Sequence, residues 1–356
     1  MHHTRSDITV EGVAFEGLVK PLEVSDRERW NEYVSRHPEA TFFHLAEWED
    51  VLRGAFGHRS RYLYAESGGR LVGVLPLMEV KSVLFGHALI STPFCVYGGS
   101  LADDDRVHRA LAQAACELGR RRGVDYIEMR SRKPRHPDWL TKDLYVTFRR
   151  AIEPNAEQNM LAIPRKQRAM VRKGMQRNLE VHIDSDVERP YAVYAESLRN
   201  LGTPVFSRRY MALLKEKFGD RCELLSILHE GTPVASVLSF YFRDEVLPYY
   251  GGSTAAARQV AANDFMYWQV MERARERGAR TFDFGRSKQG TGSYDFKVHW
   301  GFEPQPLHYE YHLVKAREMP NLSPTNAKYS RLIDVWRRLP VPVTRLVGPP
   351  IARYLG

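Results

Sequence analysis

Apolar and polar positions along the chain predict the same succession of elements twice: helices, an antiparallel meander, a long helix and final strands. Each half contains a strand, an acidic residue, a glycine turn and a second strand, at YLYAESGGRLVGVLPL and at LLSILHEGTPVASVLSF. Helices are predicted over 25–36, 44–55, 103–123, 164–177, 187–201, 207–218 and 255–278. The pattern therefore predicts an α+β protein built from two copies of one fold.

This duplication places a first domain at residues 1–150, which ends with the strand-like run YVTFRRAI. A second domain follows at 151–314, and its last predicted strand is PLHYEYHLVK. Residues 315–356 form a proline-rich tail with eight basic and two acidic residues, which we expect to pack on the body as helix and loop.

Composition excludes a largely disordered chain, because 43% of the 356 residues are hydrophobic and 27% are charged. The net charge of +9 favours anionic partners. Six basic residues and no acidic ones lie in the predicted helix PRKQRAMVRKGMQR, where Arg165, Arg168 and Arg172 share one face. This face suits the phosphates of an acyl donor or an RNA backbone, although a solvated helix surface explains it equally well.

Several classes of protein are disfavoured. The three cysteines are far apart, which predicts reduced thiols of a cytosolic protein and neither disulfides nor a metal site. No secretory leader or membrane-spanning run is expected, although peripheral contact with the inner face of the membrane stays open. The motifs of nucleophilic hydrolases, P-loop enzymes and zinc proteases are absent, and nothing points to DNA.

The segment TFDFGRSKQGTGSYDFKVHWG carries the most candidate chemistry. A strand ends at Asp283, a polar loop with Arg286 as a candidate substrate contact follows, and Lys297 lies at the start of the next helix or turn. A lysine there can stabilise an oxyanion, and Asp283 can orient an amine or accept a proton. The alternatives without a catalytic role are a solvated surface lysine and an aspartate that caps a helix or loop. Upstream, YYGGS before a long helix resembles a glycine turn that could hold an anion, or a purely structural turn.

Taken together, PRKQRAMVRKGMQRNLEVHI, RPYAVYAESLRNLG, LPYYGGSTAAARQVAANDFMYWQVMERARERGARTFDFG and YDFKVHWGF resemble the FemABX peptidyltransferase family. The resemblance covers about Ile163 to Lys315 and is thinner before it. Among its branches, the chain is most similar to FemAB-related proteins of exosortase/PEP-CTERM and exopolysaccharide systems. The resemblance implies two tandem GNAT-like domains followed here by the basic tail, and transfer of an amino acid from aminoacyl-tRNA to an envelope precursor.

Residue roles follow from the resemblance alone. The family's lysine after phenylalanine, which stabilises the charged tetrahedral intermediate, corresponds to Lys297. Tyrosines that line the substrate groove correspond to Tyr250, Tyr210 and, in the first domain, Tyr126.

The chain departs from the family at both phosphate-binding positions. The lysine expected four residues after Trp48, which is itself a candidate substrate contact, is Leu52. The arginine expected four residues before Tyr210 is Phe206. Three neighbouring cations are the candidates to replace them: Arg53, Arg208 and Arg209. These departures weaken the case for a nucleotide-linked muropeptide as acceptor.

The first hypothesis is an acyltransferase that acylates or aminoacylates an amine of an envelope or exopolysaccharide intermediate, with no bound cofactor and with aminoacyl-tRNA or acyl-CoA as co-substrate. The alternative is an acyl-CoA-dependent GNAT N-acyltransferase, which is disfavoured because TAAARQVAAND lacks the glycines of a pyrophosphate loop. A third reading is a non-catalytic protein that binds anionic glycan, lipid head groups or RNA.

Overall fold

The computed structural model describes residues 15–82, 86–320 and 327–354. Within these residues the chain forms two compact units. The first unit comprises 15–143 and 307–320, and the second comprises 144–306 and 327–354. None of the helices in the described ranges is long and apolar enough to cross a membrane.

The described helices are α1 Arg27–Arg36, α2 Glu47–Phe56, α3 Asp105–Arg122, α4 Ala156–Ala162, α5 Arg165–Met175, α6 Glu188–Leu201, α7 Arg208–Phe218, α8 Ala262–Glu276, α9 Gly292–His299, α10 Ala327–Arg338 and α11 Val341–Ala352. The strands are β1 Leu18–Pro21, β2 Arg59–Ser60, β3 Leu63–Ser67, β4 Arg70–Leu75, β5 Leu77–Ser82, β6 Gly86–Ser91, β7 Leu101–Ala102, β8 Tyr126–Ser131, β9 Leu140–Lys142, β10 Tyr145–Ala151, β11 Leu179–Asp184, β12 Cys222–His229, β13 Thr232–Phe242, β14 Glu245–Ser253, β15 Thr281–Asp283, β16 Ser287–Lys288, β17 Pro304–Pro306 and β18 His308–Leu313. Single 3-10 turns lie at Val24–Asp26, Phe42–His44, Gly219–Arg221 and Ala255–Arg258.

The first unit contains two sheets, in the orders β1-β3-β4-β7 and β2-β5-β6-β8-β18-β9. Pro76 separates β4 from β5, so the run RLVGVLPLMEV supplies one strand to each sheet. Proline has no N–H to give to a ladder, which explains the break. Strands β6 and β8 are parallel, and α3 connects them with an apolar, alanine-rich face in the core.

The second unit is built on one sheet in the order β11-β12-β13-β14-β15-β10-β16, with β17 paired to β10. Strands β14 and β15 are parallel and α8 connects them, as α3 connects β6 and β8 in the first unit. The same strand–helix–strand arrangement thus occurs in both units, which confirms the expected duplication. The parallel pairing of β14 and β15 covers only two positions, Glu245 with Thr281 and Val246 with Phe282.

Each predicted domain includes one strand that the structure places in the other unit. Strand β10, assigned above to the end of domain 1–150, pairs with β15 in the second unit. Strand β18, expected to close domain 151–314, pairs with β8 in the first unit. An alternating apolar pattern identifies a strand and its buried face, but it does not identify the sheet that the strand joins. The predicted boundaries therefore differ from the observed division.

The remaining differences concern the ends of the second unit. The helix predicted over 255–278 begins at Ala262, because a 3-10 turn and a left-handed Ala261 (φ 54°) precede it. The tail predicted over 315–356 contains α10 and α11, and both lie against α6 and the loop after it. Its residues 321–326 and 355–356 lie outside the described residues.

Candidate active site

Lys297 is a buried lysine on α9, near the end of β15. Its Nζ donates hydrogen bonds to the backbone oxygens of Gly285 (2.9 Å) and Arg286 (3.1 Å). The rings of Phe148 and Phe284 lie 5.5 and 5.9 Å from Nζ. Burial lowers the pKa of Lys297 from 10.5 to about 7; Asp283 acts against this lowering of the pKa, and the charge of Arg286 adds to it. The amine is therefore poised to exchange a proton near neutral pH.

Asp283 is fully buried at the end of β15, and both of its carboxylate oxygens accept hydrogen bonds from the protein. Oδ1 accepts from the backbone N–H of Gly285 (2.8 Å) and from Thr147 Oγ1 (3.2 Å). Oδ2 accepts from the Arg149 guanidinium at 2.7 Å, and Arg149 also pairs with Glu245. These contacts fix the turn that presents the carbonyls of residues 285 and 286 to Lys297. Asp283 is thus held as a positioning residue, and its charge favours the protonated form of the lysine.

Aromatic side chains surround the lysine, and some of them come from segments that are distant along the chain. Phe284 packs against Tyr267 (ring centroids 4.9 Å apart) and Trp300 (6.0 Å), and Phe296 packs against Tyr267 (5.5 Å). Phe148 was not a candidate because its strand was assigned to the other domain. Tyr267 on α8 could have been suspected only from its place on the buried face of a helix that follows YYGGS. These rings exclude water around the amine, which is the cause of its lowered pKa.

The glycines of YYGGS lie inside β14, so they form neither of the two turns considered for them, the anion-holding turn or the purely structural one. Gly251 pairs with Val237 and Gly252 pairs with Ser236 across the ladder to β13. A Cβ on Gly251 would lie 2.6 Å from the hydroxyl of Tyr267 on α8. A Cβ on Gly252 would lie 2.9 Å from the Cα of Tyr194 on α6. Two helices therefore approach the strand closely from opposite faces, and this packing explains both glycines.

Tyr210 and Tyr250, both predicted as substrate contacts, do come together. Their hydroxyls are 2.8 Å apart and hydrogen-bonded, and both rings pack against Phe206. Tyr194 of α6 also contacts Tyr250, so this cluster lies on the α6 face of β14. Tyr267, which contacts the rings beside Lys297, lies on the α8 face. The Tyr210–Tyr250 cluster and Tyr267 therefore lie on opposite faces of β14.

The arginines of the second unit that are predicted to contact substrate differ in their surroundings. Arg208 and Arg209 are exposed in the first turn of α7, and Arg208 forms an ion pair with Glu188. Arg286 places its guanidinium 4.6 Å from the ring centre of Tyr145. Arg208 and Arg209 as phosphate ligands and Arg286 as a substrate contact stay predictions.

On α5, the three arginines that share one face are only partly available. Arg165 and Arg172 are exposed, whereas Arg168 is half-buried and donates from Nε to the carbonyl of Ile163 (3.2 Å). The opposite side of the helix packs on α8, where a Cβ on Gly174 would lie 2.7 Å from Phe265 Cβ. The basic face of α5 is therefore a surface feature of the second unit.

The first turn of α8 contains an acidic residue, Asp264. Asp264 is buried in the first helical turn and accepts hydrogen bonds from Gln167 and from Trp300 Nε1 (3.1 Å). Burial raises the pKa of its carboxyl, and these hydrogen bonds oppose that rise in pKa. A helix start that already holds a carboxylate is a poor place for a pyrophosphate.

The first-unit candidates are in separate environments. Trp48 is fully buried in α2 and donates from Nε1 to the carbonyl of Phe42 (3.1 Å). Arg53 is exposed on the same helix and pairs with Asp50 (3.0 Å). Tyr126 is buried in β8, where desolvation raises the pKa of its hydroxyl. These placements leave their proposed contacts with substrate as predictions.

In the described ranges, no group of three or more histidine, cysteine, aspartate or glutamate side chains is arranged to hold a metal ion. The three cysteines are buried and not disulfide-bonded.

Comparisons with known proteins agree with this architecture. Residues 165–298 match the family model described as an acetyltransferase (GNAT) domain. No curated protein matches the chain. Among solved structures, FemX superposes with a TM-score of 0.66 at 14% identity, over 83% of this chain and 97% of FemX.

Two further structures cover most of the chain. One is the C-terminal domain of a putative lysylphosphatidylglycerol synthetase from Agrobacterium fabrum (TM-score 0.56, 14% identity, 81% of this chain and 91% of that chain). The other is a tandem GNAT protein from the clavulanic acid biosynthesis pathway (TM-score 0.56, 13% identity, 84% and 99%). The chain therefore folds as two tandem GNAT-like domains, and the second contains the segment that matches the acetyltransferase model.

Proposed function

We propose that this protein is an N-acyltransferase that moves an acyl or aminoacyl group from an activated ester to an amine of a cell-envelope or exopolysaccharide intermediate. The observation that carries the proposal is Lys297: a buried amine, held by two backbone carbonyls beside a short parallel strand pair, within the segment that matches the acetyltransferase model.

The geometry of Lys297 suits proton transfer during acyl transfer. An ammonium has three N–H donors, and two of them are directed at the carbonyls of Gly285 and Arg286. The third position holds an N–H when the amine is charged and a lone pair when it is neutral. With a pKa of about 7, both forms are populated at neutral pH.

The reaction that fits forms a bond between the attacking nitrogen and the carbonyl carbon and breaks the ester C–O bond. In the ammonium form, Lys297 donates its remaining N–H to the oxyanion and then a proton to the departing oxygen. In the neutral form it accepts a proton from the attacking amine. Asp283 is engaged by Arg149, Thr147 and the backbone, so it supports Lys297 and the turn.

The donor is proposed to be an aminoacyl ester, in preference to acyl-CoA. The carboxylate of Asp264 occupies the first turn of α8, and the preceding segment has no glycine-rich loop. Similarity to FemX and to a lysylphosphatidylglycerol synthetase domain supports a substrate of the envelope or of the aminoacyl class. The exposed arginines of α5 are the proposed contacts for the phosphates of a charged tRNA. Association with PEP-CTERM and exopolysaccharide systems remains part of this proposal.

The experiment is mass spectrometry of envelope and polysaccharide precursors from cells that contain the wild-type protein, Lys297→Met or Lys215→Met. Lys215 is a matched control because its Nζ also donates to two backbone carbonyls, those of Gly219 (3.2 Å) and Cys222 (2.9 Å). We expect an acyl increment with wild type and Lys215→Met, and none with Lys297→Met. An increment that persists in Lys297→Met would contradict catalysis through Lys297, and a binding protein would then be favoured.

The donor is identified by ligand stabilisation. We expect the melting temperature to rise with aminoacyl-tRNA and to stay unchanged with CoA or acetyl-CoA. A rise with acetyl-CoA alone would favour the acyl-CoA-dependent alternative.

A further inference from the structure

Helix α11 presents its large apolar residues to solvent. Its side toward the body consists of small residues, Thr344, Gly348 and Ala352, which are spaced four apart and buried. Gly348 fixes this orientation, because a Cβ there would lie 3.0 Å from the backbone N and O of Val205. The exposed side carries four aliphatic side chains: Val343 (40% exposed), Leu346 (77%), Val347 (40%) and Ile351 (38%).

This arrangement is the reverse of the one expected for a helix on a globular protein, which buries its large apolar residues. Helix α10 adds Val335, which is 58% exposed. We call these five aliphatic residues the α10–α11 apolar face. All five aliphatic residues are exposed, and they lie within seventeen positions of the chain. Exposed apolar surface of this kind marks an interaction site.

The charges around the face select its partner. Arg337, Arg338 and Arg345 are exposed, and between residues 327 and 354 the sequence has six basic residues and one acidic residue, Asp334. Arg345 lies 5.0 Å from the ring centre of Tyr191 on α6, which holds its guanidinium beside α11. Aliphatic residues bordered by arginine are the composition of helices that lie in the interface of an anionic bilayer. A second copy of the chain is disfavoured, because the same arginines would meet across the contact.

We propose that the α10–α11 apolar face docks on a phospholipid bilayer that contains anionic lipids, with Leu346 inserted among the acyl chains and the arginines among the phosphates. This inference stands on the exposed residues of α10 and α11 and does not rest on the acyltransferase proposal. If both proposals hold, α6 lies between the membrane-binding helices α10 and α11, which pack on it, and the Tyr210–Tyr250 cluster, to which it supplies Tyr194.

The test is flotation of the full chain with vesicles of phosphatidylcholine alone or mixed equally with phosphatidylglycerol. We expect binding only to the anionic vesicles, and weaker binding at high salt. Leu346→Glu should lower the partition coefficient about tenfold or more, because the buried area of a leucine is lost. Arg338→Gln should lower it roughly fivefold.

Val24→Glu is the matched control, since Val24 is an 85% exposed aliphatic residue in a 3-10 turn of the first unit. It should bind as wild type does. Equal binding to neutral and anionic vesicles, no binding to either, or no effect of Leu346→Glu would overturn the proposal. Light scattering is the second measurement: a dimer that Leu346→Glu dissociates would show that a second copy covers the face instead.

Discussion

Replacement of Lys297 by methionine tests the buried amine through the pH dependence of stability. In the unfolded chain the lysine keeps its ordinary pKa of 10.5, whereas in the folded protein the pKa is about 7. Between these two pH values the unfolded state binds more protons, so stability rises with pH. Below pH 7 both states are protonated, and the full cost of burying the charge remains.

The difference between the two pKa values corresponds to about 5 kcal/mol over the whole interval. As the pH rises from 7 to 9, the titration of this group should increase the free energy of unfolding by about 2 kcal/mol. Lys297→Met removes the titration but leaves the carbonyls of Gly285 and Arg286 without their donor, at a cost of about 1–3 kcal/mol each. These effects largely cancel at pH 7, so the change with pH is the diagnostic quantity.

The assay is urea unfolding of wild type, Lys297→Met and Lys215→Met at pH 7, 8 and 9, followed by far-ultraviolet circular dichroism. The stability difference between wild type and Lys297→Met should grow in favour of wild type by about 2 kcal/mol from pH 7 to pH 9. Titration of other groups cancels in that difference. Lys215→Met should run parallel to wild type. A wild-type to Lys297→Met difference that stays constant across this range would refute the buried-amine reasoning.

Three other substitutions address the packing around the site. Gly252→Ala should destabilise the second unit by about 1–3 kcal/mol in thermal unfolding, because its methyl group would meet the backbone of α6; an unchanged melting temperature would contradict that close approach. Asp283→Asn should cost about 1–3 kcal/mol, since it weakens the hydrogen bond from Arg149, which keeps its ion pair with Glu245. It should also lower the pKa of Lys297 further, a shift to be read from the pH profile of product formation. Tyr250→Phe should lower the free energy of unfolding in urea by about 1 kcal/mol, because the hydrogen bond to Tyr210 is lost. Loss of product formation by a variant that is still folded would mark Tyr250 as a substrate contact.

Local information accounts for the part of the candidate site that is predicted from the sequence. Asp283, Arg286 and Lys297 lie within fifteen positions, so a strand, a loop and a helix turn bring them together without distant contacts. Phe148 and Arg149, by contrast, reach the site only because β10 pairs with β15. Residue spacing carries no information on which sheet a strand joins, and these two residues were therefore missed.

Helix and strand periods and glycine turns are local properties, so the pattern along the chain predicts the α+β class and the duplication. The sheets that β10 and β18 join, the burial that lowers the pKa of Lys297, and the packing role of Gly251 and Gly252 come from tertiary contacts. The exposed aliphatic face of α11 has the same origin, since the close approach of Gly348 to Val205 selects which side turns inward. Each of these depends on which distant segments come into contact, and that is set by packing of the whole unit rather than by any stretch of the chain.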